Sequence, residues 1–174
     1  MSTTDFLAPV FAQYPMEVVG AEGVFLHTRD GRRVLDLYGG HAVAALGYGH
    51  PGWTQAVSAQ AAACNFQTNA VPMEVRARAA TKLAHFAGGY FDSIFFVNSG
   101  AEANENALRM AFKMTRRTRV VAIEDGWHGR TAAAGAITWG ADKKWYEFPR
   151  TPFEVGWVPR RDVAAIPHIV GEDV

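Results

Sequence analysis

Phe95-Phe96-Val97-Asn98-Ser99-Gly100-Ala101-Glu102-Ala103-Asn104-Glu105 is the stretch whose reading decides the fold of this chain. An apolar, β-like run ends in Asn-Ser-Gly and a helical pattern begins at once. A strand that feeds a helix this way leaves backbone N–H groups and the positive end of the helix dipole facing outward, a combination that favours an anion. Ser99 and Glu102 also stand at the Ser-x-x-Glu spacing of a capping box. By itself the stretch reads most simply as a capped helix behind a buried strand. A second segment downstream, Gly126-Trp127-His128-Gly129-Arg130-Thr131, raises the functional reading.

Outward from that join, Ile94 to Val97 is short, apolar and bounded, which predicts a buried strand. The helix from Gly100 carries Ala103, Ala107, Met110, Ala111 and Met114 at intervals of three and four, which predicts a core-facing stripe. Arg119 to Ile123 predicts a strand parallel to the first, Thr131 to Thr138 an Ala-rich helix, and Asp142 to Pro152 an ordered aromatic loop. Val155 to Val158 reads as a strand and Arg161 to Ile166 as a short helix stopped by Pro167. This alternation predicts an α/β fold with a parallel sheet.

Upstream the pattern changes. Two β-rich runs between Gly23 and Leu37 flank Asp30-Gly31, a hairpin signal. The Gly-rich run 38–51 resists a regular helix or central strand. Pro51 opens a helix to about Cys64 with Trp53, Val57 and Ala61 on one face. Pro72 starts another, with Val75, Ala79, Leu83 and Phe86 in register and Gly88-Gly89 as the stop. The polar connection Asn65-Phe66-Gln67-Thr68-Asn69 joins them. The domain boundary is placed at 58/59, giving segments 1–58 and 59–174.

The 174 residues suffice for one domain with a real core. Basic and acidic residues number 17 each, so charge gives no reason to propose nucleic acid or a membrane as partner. The clusters Arg116-Arg117-Thr118-Arg119 and Arg160-Arg161 read as solvated helix ends. The lone cysteine, Cys64, excludes an intrachain disulfide, fits a reducing compartment and reads as a small packing residue. The N-terminus lacks the basic and apolar regions of a signal peptide, and no apolar run is long enough to span a bilayer. A cytoplasmic location is expected.

The Ser99-Gly100-Ala101 helix start supplies convergent N–H donors for a phosphate, and Gly100 allows close approach. No Gly-x-Gly-x-x-Gly follows a strand and no Gly-Lys-Ser/Thr occurs, so dinucleotide and P-loop readings fit poorly. In an open α/β sheet, ligands collect outside the carboxyl ends of the strands. There Trp127 would stack on a flat cofactor and Arg130 would hold a carboxylate bidentately. Singly, each reads more simply as a packing Trp and an ion-paired Arg.

Ser-Gly-Ala-Glu-Ala-Asn-Glu (99–105) followed by Trp-His-Gly-Arg-Thr (127–131) resembles the class-III pyridoxal-phosphate aminotransferases. Arg-Asp-Gly-Arg-Arg-Val-Leu-Asp-Leu-Tyr-Gly-Gly (29–40) and Leu-Gly-Tyr-Gly-His-Pro (46–51) resemble the N-terminal part of the same family. Within it, the motifs look most like those of acetylornithine aminotransferases. The resemblance implies a fold-type-I architecture: the N-terminal part of a small domain, then the first part of a large parallel-sheet domain. It implies pyridoxal 5'-phosphate as cofactor, with Ser99, Gly100 and Ala101 at the phosphate, Trp127 over the ring and Arg130 on the substrate carboxylate. The family usually has Thr in place of Ala101 and Phe in place of Trp127. His128 is given no more than a neighbouring role.

The resemblance further implies transfer of the δ-amino group of N-acetylornithine to 2-oxoglutarate, in arginine biosynthesis, by a homodimer with Thr68-Asn69 and the Gly-rich segment near its interface. Ornithine, 4-aminobutyrate or another ω-amino acid is the alternative donor, and a non-catalytic anion-binding module the alternative of another kind. None of Lys82, Lys113, Lys143 and Lys144 stands in a family-like context. The Schiff-base lysine and the acid that pairs with the pyridinium nitrogen are therefore expected beyond Val174, in a longer protein. The 174 residues alone are expected to be inactive and poorly soluble.

Overall fold

Asp30-Gly31 turns the chain between two antiparallel strands in the computed structural model of the protein, which describes residues 6–174. The N-terminal reading of residues 1–5 lies outside the described residues. Two compact units divide the chain, one ending at Arg76 and the other starting at Ala77. Position 58/59, the boundary drawn from sequence, falls inside the helix Pro51–Cys64, and the division at 76/77 falls inside the helix Glu74–Phe86.

The first unit holds an antiparallel meander, β1 (Val18–Glu22), β2 (Phe25–Thr28) and β3 (Arg33–Leu35), in that spatial order. The hairpin turn is closed by Thr28 N–H on Arg32 O at 3.0 Å and Gly31 N–H on Thr28 O at 3.0 Å, with Gly31 at φ 83°. Asp36, just past β3, organises the Gly-rich segment. Its Oδ1 accepts from Tyr38 N (2.9 Å) and Gly39 N (2.8 Å), and its Oδ2 from the Tyr48 hydroxyl (2.6 Å). Gly39–Ala42 then forms a single turn with positive φ throughout, and Gly23 and Tyr48 exchange backbone bonds at 3.0 and 2.7 Å. Gly47 is required there, because a Cβ would lie 2.6 Å from Gly23 O.

Helix α1 (Pro51–Cys64) has the predicted bounds and is capped by His50, whose Nδ1 accepts from Trp53 N at 3.2 Å. Its Trp53–Val57–Ala61 face is exposed, and so is Cys64, whose Sγ donates to Phe66 O at 3.5 Å and which does not serve as a core residue. The guanidinium of Arg76 gathers the connection before α2 (Glu74–Phe86), donating to Asn69 Oδ1 (2.7 Å), Thr68 O (3.0 Å) and Val71 O. Gly88 and Gly89 stop α2 as predicted: Gly89 N reaches Ala84 O and Gly88 N reaches His85 O, the paired bonds of a Schellman ending.

In the second unit, β4 (Arg119–Ile123) and β5 (Glu154–Val158) pair in parallel, with Arg119 opposite Glu154 and Ile123 opposite Val158. The expected strand at Ile94–Val97 is not one: no ladder joins it to another described segment, and Phe95 and Phe96 are exposed. An apolar run becomes a strand only when another strand lies alongside it. Helix α3 (Gly100–Thr115) follows, and its predicted stripe is also corrected. Ala103, Ala107, Met110, Ala111 and Met114 are exposed, while Ala101, Asn104, Glu105, Leu108 and Phe112 form the half-buried face. Phe112 meets Phe153 with ring centroids 5.0 Å apart.

The core is small and made of small residues: Ala122, Val158, and Ala133, Ala134, Ala136 and Ile137 in and after α4 (Ala132–Ala136). Arg119 is no solvated helix end. It crosses β5 at Gly156, where a Cβ would lie 2.6 Å from its Nη2, and its Nη1 donates to Ile169 O at 3.3 Å. Pro167 does not stop a helix either. After a 3₁₀ turn (Val163–Ala165) it sits in the first turn of α5 (Ile166–Ile169), where its missing N–H costs nothing. No helix among the described residues is long and apolar enough to cross a membrane.

Candidate functional site

The site is built on the start of α3. Ser99 is extended (φ −150°, ψ 159°), and its Oγ accepts from Glu102 N at 3.1 Å. Glu102 Oε2 in turn accepts from Asn98 N at 2.6 Å. The reciprocal cap forms, with its return bond one residue earlier than in the usual capping box. Among the described residues, no partner takes the N–H of Gly100 or Ala101. A Cβ on Gly100 would meet nothing within 4 Å. Two backbone donors thus stand open at the positive end of a 16-residue helix.

The second segment leaves the carboxyl end of β4, turned by Asp125 at φ 63° and by Gly126 N–H on Ile123 O at 3.0 Å. The buried Thr138 hydroxyl oxygen accepts from His128 N (3.0 Å) and Gly129 N (3.3 Å). Trp127 is 59% exposed, its ring centroid 5.6 Å from that of Trp145 at an interplanar angle of 51°. Arg130 is exposed. The Tyr146 hydroxyl donates to Ala132 O at 2.8 Å. Burial pushes the Tyr146 hydroxyl pKa up, and the Glu105 carboxylate adds to the shift.

The two segments meet. Asn104 Nδ2 donates to His128 O at 2.7 Å. Gly129 (φ 137°) lies so close to α3 that a Cβ on it would stand 2.7 Å from Ala101 Cβ. Glu105 Oε1 accepts from Thr131 Oγ1 (2.6 Å), Ala133 N (2.7 Å) and Ala134 N (3.1 Å). Burial raises the Glu105 pKa, but these donors and the nearby Arg109 charge outweigh it and hold the carboxyl below the ordinary glutamate value.

Of the residues named from sequence, Ser99, Gly100 and Ala101 form the open helix start, and Trp127 and Arg130 flank the two residues that dock on it. Asn104, Glu105, Gly129 and Thr138 were missed as site-builders. Asn104 and Glu105 fall one turn after Ala101, at helical spacing from it, and that spacing was the available signal.

The family model described as "Aminotransferase class-III" matches residues 8–168. An acetylornithine aminotransferase of Bordetella parapertussis is 36% identical over 92% of this chain and 41% of its own length. One from Streptomyces coelicolor is 39% identical over 91% of the chain and 39% of its own length. The chain thus spans about two-fifths of the length of the curated relatives it matches. The taurine:2-oxoglutarate aminotransferase of Bifidobacterium kashiwanohense, solved with PLP and glutamate, superposes with a TM-score of 0.81 at 23% identity, over 95% of this chain and 40% of that one. An ornithine aminotransferase of Toxoplasma gondii gives 0.80 at 21%, over 94% and 39%. These structures share the fold, the fold-type-I architecture expected from the sequence. With the match covering nearly all of the chain, it belongs to the class-III aminotransferases.

Proposed function

We propose that this chain supplies the phosphate cradle, ring clamp and carboxylate hook of a pyridoxal-phosphate aminotransferase that transfers the δ-amino group of N-acetylornithine to 2-oxoglutarate. The observation that supports the reading is the docking of Gly129 on Ala101, which brings the segment that carries Trp127 and Arg130 to the helix whose first N–H groups, those of Gly100 and Ala101, stand open. A phosphate fits that end, because the donors are unpaired among the described residues and nothing obstructs Gly100. Ser99 holds the first turn of α3 so that these donors point outward. Trp127 would cover the cofactor ring and keep water from it, and Arg130 would bind the substrate carboxylate. When bound, pyridoxal phosphate supplies the carbonyl that takes up the amino group and the electron sink for the proton transfer that follows.

The four lysines are all exposed, which does not suit a Schiff-base lysine, whose ammonium must lose its proton in a desolvated setting. We therefore place that lysine and the pyridinium-pairing acid outside residues 1–174, and the 174-residue chain by itself does not turn over. The Gly-rich segment and Thr68-Asn69 are assigned to a homodimer interface, residues 1–58 to the small domain, residues 59–174 to the large domain, and the protein to the cytoplasm.

Equilibrium dialysis of pyridoxal phosphate against an enzyme that joins these residues to the lysine tests the cradle: saturable binding weakened by inorganic phosphate is expected, and its absence would sink the reading. Steady-state rates with acetylornithine, ornithine and 4-aminobutyrate, in an enzyme that joins these residues to the lysine, test the donor. A preference for either of the latter two overturns the acetylornithine assignment.

A further inference from the structure

Thr131 is the N-cap residue of α4, in the extended conformation suited to that position, yet its side chain makes no cap bond. Its hydroxyl is turned to Glu105 instead, and the same carboxylate oxygen takes the Ala133 and Ala134 N–H groups that a threonine cap would serve. A local cap has been exchanged for a carboxylate carried by another helix. One residue earlier on α3, Asn104 holds His128 O at 2.7 Å. Arg130 is thereby bracketed, with His128 and Gly129 fixed to α3 on one side and Thr131 fixed to it on the other.

We propose that Glu105 and Asn104 are positioning residues that clamp the Trp127–Thr131 segment to the start of α3, so that the ring clamp and the carboxylate hook keep a set distance from the Gly100–Ala101 donors. This rests on the function proposed above and adds two residues that act through His128 and Thr131. Simple capping of α4 does not need the arrangement, since the Thr131 hydroxyl would serve once Glu105 is gone. The clamp does need it, because nothing else among the described hydrogen bonds ties Thr131 to α3.

The test compares Glu105→Ala and Glu105→Gln, in an enzyme that joins these residues to the lysine, by two readouts: pyridoxal phosphate affinity from equilibrium dialysis, and amide hydrogen exchange at His128 and Gly129, whose N–H groups are bonded to Thr138 Oγ1. Losing bonds to a charged acceptor is expected to weaken cofactor binding about tenfold in Glu105→Ala and to speed exchange at both amides by a similar factor. Glu105→Gln keeps an acceptor oxygen and is expected to stay within about threefold of the parent in both. Unchanged affinity in Glu105→Ala overturns the proposal even if exchange rises, because that is what a purely structural cap would give. Equal damage from Gln and Ala also overturns it. If the parent chain binds no pyridoxal phosphate, the cofactor reading fails, and the clamp is decided by exchange alone, unchanged rates in Glu105→Ala overturning it. Should Glu105→Ala not fold, Asn104→Ala tests the other half of the clamp by the same readouts.

Discussion

Thr131 Oγ1 donates to Glu105 Oε1 across 2.6 Å, although the two residues are 26 positions apart in the chain. This bond joins the helix that starts at the candidate phosphate site to the segment that carries Trp127 and Arg130. A carboxylate that accepts three bonds is a strong acceptor only while it is ionised, so the junction depends on pH.

Glu105 has a folded pKa below its unfolded one. Its stabilisation is therefore complete above the unfolded value and is lost as pH falls through the lower folded value. Amide exchange at Ala133 and Ala134, followed from neutral pH downward, should stay slow past the ordinary glutamate midpoint of about 4.3 and quicken only below it. Glu105→Gln should remove that titration.

Gly129→Ala places a methyl group 2.7 Å from Ala101 Cβ and 3.0 Å from Ala134 Cβ, at a φ of 137° that side chains rarely adopt. Backbone strain and overpacking together should cost roughly 2–4 kcal/mol. Urea unfolding measures this, and a cost below about 1 kcal/mol would mean that the two segments do not pack this closely.

Ala101→Thr should tighten pyridoxal phosphate binding about tenfold, by adding a hydroxyl donor to a charged group at the open end of α3. Equilibrium dialysis decides it. Weaker binding would show that the hydroxyl disturbs the Gly129 contact more than it helps the phosphate.

Ser99→Ala removes the acceptor of the Glu102 N–H at the start of α3 and should cost about 1 kcal/mol in urea unfolding. Ser99→Asp, which keeps an acceptor there, should recover most of it.

In the first unit, the Tyr48 hydroxyl is the main cause holding the Asp36 carboxyl below the usual aspartate range, with the Gly39 and Tyr38 N–H groups adding to it. The Asp36 contribution is thus present above the unfolded aspartate value and lost as pH falls through the depressed one. Tyr48→Phe should move the Asp36 titration, read by NMR, upward toward about 3.9.

Local chemistry was legible where a signal and its consequence lie within a few residues. Pro51 opens α1 and Gly88-Gly89 close α2, because a missing N–H and a tolerated positive φ act on the adjoining turn. Asp30-Gly31 makes its hairpin for the same reason, and β4 keeps the bounds of its apolar run, Arg119–Ile123. In the site, Ser99 and Glu102 announced the cap on α3, and Gly100 the open donors.

Burial and pairing were not legible in this way. The periodicity of α3 says that Ala103, Ala107, Met110, Ala111 and Met114 share a face, but not that a partner lies against it. The half-buried face is instead the one whose polar residues, Asn104 and Glu105, find backbone groups to bind. Arg119 looked like one more basic residue in a cluster until Gly156 left room for it to cross β5.

The sequence by itself determined the caps, the turns and the helix-opening glycine of a phosphate site, together with the ordered motifs of a class-III aminotransferase. Only the tertiary structure decided that Gly129 rests on Ala101 and that Glu105 holds Thr131. Those contacts depend on which faces of distant segments come within hydrogen-bonding reach, about 3 Å, and spacing along the chain does not encode that distance.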